Sequence, residues 1–92
     1  RYNLTGLEPK VARMAEVMGI SNRTADGFTV HLEALLDEID IPKSLAAIDV
    51  PFDCAPRIAE KALLDSAAAT NPRQAGVADV RQMIETAITA AR

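Results

Sequence analysis

Tryptophan is absent from the 92 residues, and one tyrosine and two phenylalanines hold the aromatic share at 3%. That poverty argues against a sandwich organised on aromatic cross-strand pairs. A single cysteine, Cys54, rules out an internal disulfide, so the expected compartment is the cytoplasm. One histidine, His31, leaves no HExxH, CxxC or carboxylate–histidine spacing for a metal. The four glycines, at 6, 19, 27 and 76, are isolated from one another, so there is no Gly-rich phosphate loop. No run approaches the roughly 18 apolar residues of a membrane span, and no signal-peptide pattern opens the chain. The ten basic residues are scattered from Arg1 to Arg92 and the net charge is −3. The basic stripe of a nucleic-acid binder is missing.

What is present is aliphatic. Hydrophobic residues make up 49% of the chain, mostly Ala, Leu, Ile, Val and Met, a mixture suited to close-packed helices. A chain of this length forms one domain at most and buries roughly 60–65% of its unfolded surface. It begins with Arg rather than Met, as a piece of a longer protein is expected to.

The periodicity is helical throughout. In "TGLEPKVARMAEVMG" the residues Leu7, Val11, Met14, Ala15 and Met18 recur on one face, Pro9 suits the first turn and Gly19 a left-handed stop. In "SNRTADGFTVHLEALLDEIDIP" the face is Phe28, Leu32, Leu35, Leu36 and Ile39, and Pro42 forbids continuation. Gly27 weakens the opening turns of this helix by about 1 kcal/mol relative to alanine. Ser44 is placed to cap a short turn in "KSLAAI". "DCAPRIAEKALLDSA" predicts a helix capped by Asp53, opened by Pro56 and carrying the small stripe Ile58, Ala59, Ala62, Leu63 and Ser66. Its end is expected near Ala68 or Ala69. The last helix, "GVADVRQMIETAITAA", turns Val77, Val80, Ile84, Ala87, Ile88 and Ala91 to one side, with Gly76 as cap and Asp79 complementing the helix dipole. The reading is all-α: a small bundle of about four main helices and a short helical turn.

No self-contained active site emerges. His31 reads as a boundary residue beside Phe28 and Leu35, and Cys54 as a small half-buried residue at a helix start. Asp37, Glu38 and Asp40 lie around a helix end without a complementary base, as a solvated face does. Between the last two helices "TNPR" forms a loop. Pro72 biases Asn71 to extended backbone, leaving its amide to bond backbone groups such as the carbonyls of the ending helix. The fork of Arg73 reaches those carbonyls or a carboxylate. On this reading Thr70, Pro72 and Arg73 are structural.

Taken in order, these small motifs resemble the C-terminal part of the iron-containing alcohol dehydrogenases, whose fold is like that of dehydroquinate synthase. The resemblance runs from Asn3, Pro9 and "MGI" at 18–20 through "IPKSLAAIDV" to Ala59, Ala62-Leu63 and Asp65. It continues into "TNPR" and the "ADV" that opens the last helix. It implies a parent that interconverts alcohols and aldehydes or ketones with NAD or NADP and iron or zinc. It implies further that the nucleotide domain and the ligands, one Asp and three His, precede this segment. Residues 1–92 then form a C-terminal helical segment that holds no cofactor and no metal, is inactive alone, and has the remainder of the dehydrogenase as its partner. Without that partner an exposed apolar face would favour self-association. Two departures stand out. Ala67 occupies the place of a cysteine frequent in relatives, and Asp40 that of a glycine, in a position suited to left-handed backbone. By the resemblance Ala67 and Asn71 line the substrate cleft. The alternatives are a free-standing helical interaction module and the matching segment of a maleylacetate reductase.

Overall fold

The structure, a computed structural model, describes residues 1–90, and every regular element among them is helical. Five α-helices follow in order: α1 (Glu8–Val17), α2 (Ala25–Glu38), α3 (Ala55–Ala62), α4 (Ser66–Ala69) and α5 (Val77–Thr89). Three single turns of 3-10 helix, Tyr2–Leu4, Ala46–Ile48 and Phe52–Cys54, complete them. The contacts divide the chain into two compact units, Arg1–Ile41 and a second beginning at Pro42.

In the first unit α1 packs on α2. Of the face expected on α1, Val11 and Ala15 are fully buried, while Met14 and Met18 remain largely exposed. Both helices stop by one device. At the end of α1 the N–H groups of Gly19 and Ile20 return to the carbonyls of Glu16 and Ala15. At the end of α2 those of Asp40 and Ile41 return to Asp37 and Leu36. Each motif requires a left-handed residue just past the helix. Gly19 adopts it at φ 72°, whereas Asp40 does so at φ 58° with a Cβ to accommodate. Relieving that crowding by Asp40→Gly is expected to raise stability by about 0.5–1 kcal/mol, read from the urea midpoint. An unchanged or lower midpoint would show that Asp40 is unstrained. Upstream of α1, the Glu8 carboxylate accepts the N–H of Gly6 at 3.1 Å. Bonds from its own N–H and from Gly6 hold Glu8 below the ordinary glutamate value.

In the second unit α3 packs along α5. Cys54, Ala55 and Ile88 form its buried centre, with Leu45, Val50 and Ile84 packed around them. Ala59 of the expected small stripe is fully buried on α3, and so is Ala55, which the stripe did not include. Ile58, Ala62 and Ser66 of the expected stripe are exposed. Asp53 does not cap α3, because it falls within the 3-10 turn Phe52–Cys54 that runs directly into it. Pro56 takes the first turn as expected. Ser44 accepts the N–H of Ala47 at 3.3 Å, and the N–H of Leu45 reaches the Ala87 carbonyl at 2.9 Å in the last turn of α5. One of the carbonyls orphaned at that helix end thus has a partner. On α5, Ile88 is buried, Val80 and Ile84 are half-buried, and Val77 and Ala87 are exposed. Ala91 lies outside the described residues.

Candidate functional site in the alanine-rich turn

The helix expected to run unbroken to Ala68 or Ala69 ends instead at Ala62, and a separate turn, α4, carries the chain to Ala69. Asp65 makes the break. In a continuous helix the N–H of Ala67 would donate to the carbonyl of Leu63. Here it donates to Asp65 Oδ1 at 2.8 Å, while the Asp65 backbone is extended at φ −70°, ψ 135°. A short acidic side chain competing for a backbone amide is the ordinary way such residues interrupt helices.

The far end of α4 is tied just as locally. The Thr70 hydroxyl donates to the Ala67 carbonyl at 3.2 Å. The Asn71 amide donates to the carbonyl of Arg73, two residues on, and the Gln74 amide to that of Ala69 at 3.5 Å. Gln74 therefore takes up a carbonyl at the end of the helix, and the Asn71 amide bonds a backbone carbonyl, as its extended setting before Pro72 suggests. At Gly76 the chain enters α5, and Asp79 Oδ2 accepts the Gly76 N–H at 2.9 Å. Asp79 acts there as a hydrogen-bonding cap as well as a charge near the helix dipole. Residues 65–79 thus form a polar-clasped turn. Ala67 and Arg73 are exposed on it and Asn71 is half-buried.

The turn presents a methyl group, an amide and a guanidinium, with no nucleophile held against a base. Cys54 is buried in the second unit, deeper than a half-buried residue. His31 is exposed on α2 rather than at a core boundary. Among the described residues no three His, Cys, Asp or Glu side chains converge as metal ligands would. No helix of the described residues is long and apolar enough to cross a membrane. Asp65 and Gln74 are the members of this turn that carried no role in the sequence reading. An Asp two residues ahead of an alanine run was the available signal for the first.

Comparison with known proteins adds one match. The model of a protein family described as "Fe-containing alcohol dehydrogenase family, C-terminal" matches residues 1–88. No curated protein and no solved structure matches the chain.

Proposed function

The chain belongs to the Fe-containing alcohol dehydrogenase family, as its C-terminal domain, and from that premise we propose that it forms the helical, non-ligating wall of a substrate cleft. The enzyme of which it is part would interconvert an alcohol and an aldehyde or ketone in the cytoplasm, using NAD or NADP and the family's iron. The match over residues 1–88 carries this reading.

The residues of this chain do not suit a metal. The imidazole of His31 stands exposed, the Cys54 thiol is enclosed by apolar side chains, and among the described residues no three His, Cys, Asp or Glu side chains group as metal ligands would. Binding of iron and nucleotide is accordingly assigned to the remainder of the enzyme. That remainder is also the partner proposed for the apolar side chains left in solvent, among them Val17 and Leu64 at 83% and 85% exposure. By itself the chain is expected to self-associate through them. Sedimentation velocity should show an average mass that rises with concentration, and a single monomeric species at every concentration would refute it.

Within the cleft, Ala67 and Asn71 are proposed to face the substrate. Alanine at 67 leaves room that a cysteine would fill. In the full-length enzyme, Ala67→Cys is expected to move discrimination between small and bulky alcohols by about 1–3 kcal/mol, roughly 10- to 200-fold in relative kcat/KM. Stability should change little, because the side chain is exposed. A panel of primary alcohols of increasing bulk, assayed with both nucleotides, decides it. An unaltered specificity would remove Ala67 from the cleft.

A further inference from the structure

We infer that Asp65 is the positioning residue for the Ala67 side of the cleft, an inference that rests on the cleft reading above. A methyl group has no polar atom with which to orient itself, so its place depends wholly on its backbone. At Ala67 both backbone groups are held. The N–H donates to Asp65 Oδ1 at 2.8 Å, and the carbonyl accepts from the Thr70 hydroxyl at 3.2 Å and the Thr70 N–H at 3.3 Å.

Four residues are too few to sustain a helix by their own hydrogen bonds, since nucleation costs more than so short a run returns. The direction of α4 is therefore set from outside the turn, by the groups that take its orphaned donors and acceptors. Asp65 does this at the start. Its extended backbone ends the direction of α3, and its carboxylate fixes the amide of Ala67, the second residue of the new turn. Its role is conformational, exerted through the backbone of Ala67. Asparagine presents the same carbonyl oxygen and is as good a cap, whereas alanine presents nothing.

The test pairs Asp65→Ala with Asp65→Asn. In this chain, NMR of the Asp65→Ala variant should show the Ala67 amide proton losing the downfield displacement that a carboxylate acceptor imposes, while Asp65→Asn keeps a hydrogen-bonded amide. In the full-length enzyme, Asp65→Ala should change the kcat/KM ratio between small and bulky alcohols by about threefold or more, since misplacement of a cleft group is felt in the transition state. Asp65→Asn should return the ratio to within about twofold of the parent. An Ala67 amide unmoved by Asp65→Ala overturns the grip itself. A lost amide bond with an unchanged ratio, while Ala67→Cys does move it, overturns the positioning role and leaves the cleft reading standing. If neither Asp65→Ala nor Ala67→Cys moves the ratio, the cleft reading fails and takes this inference with it. A ratio that Asp65→Asn cannot restore assigns the effect to charge and likewise overturns the inference.

Discussion

Replacing Gly27 by alanine is expected to destabilise the protein by about 2 kcal/mol, although the site is helical and alanine is the better helix former. Propensity alone favours the substitution by about 1 kcal/mol. Against it stands the approach of Asn22. A Cβ built on Gly27 would lie under 3.0 Å from the backbone oxygen, Cβ and Cγ of Asn22, a separation that real Cβ atoms do not tolerate. Backbone is among the obstructing atoms, so a rotamer change cannot clear the space. Asn22 is not free to retreat. Its Oδ1 accepts the Thr24 N–H at 3.2 Å and the Thr24 hydroxyl at 2.7 Å. The Thr24 oxygen in turn accepts the Gly27 N–H at 3.1 Å, capping α2. Forcing the segments apart costs about 1–3 kcal/mol as overpacking, and the capping bonds are each worth about 0.5–1.5 kcal/mol. Those losses outweigh the propensity gain. Urea unfolding of the chain measures the difference, and a midpoint raised by Gly27→Ala would mean that Asn22 yields at no cost.

Truncating Ile88 to alanine is expected to remove about 3 kcal/mol, within the range for deleting a buried branched side chain and leaving a cavity. Ile88 is 3% exposed and sits where α5 meets Cys54 and Ala55, with Leu45, Val50 and Ile84 around it. Its partners on the α3 side are themselves small, so they hold few atoms that could move into the space. The cavity should persist. Ile88→Val, which removes one methyl, should cost about 1 kcal/mol. Against a total stability of about 5–15 kcal/mol for a small protein, the larger loss is readily measured. Thermal unfolding of both variants, with amide exchange in α3 and α5, tests the order. Equal losses for Val and Ala would show that the site collapses.

Much of this structure was legible in the chain itself because its signals are local. The 3.6-residue recurrence located α1, α2 and α5, and the stop at Gly19 follows from a left-handed residue just past a helix; the left-handed place of Asp40 was suggested by the glycine that the resemblance puts there. Asp79 at the third position of α5 belongs to the same kind of inference. Each depends on atoms within a turn or two of the residue concerned, so the residue types suffice. The order of the motifs, finally, pointed to the family that matches residues 1–88.

Tertiary structure decided what composition leaves open. Whether Asp65 sits inside a helix or breaks it depends on which acceptor wins the Ala67 amide, and both outcomes fit the residue types. Which face of α3 is buried turned on its packing with α5, and it is Ala55 and Ala59 that are covered while Ile58 and Ala62 stay exposed. Gly27 is the clearest case. In the sequence it reads as a weak helix position. In the structure it is the space that Asn22 needs. Periodicity records which residues prefer burial, whereas the distance between two backbones is set by the packing of elements, and only that distance shows which glycine or alanine cannot be replaced.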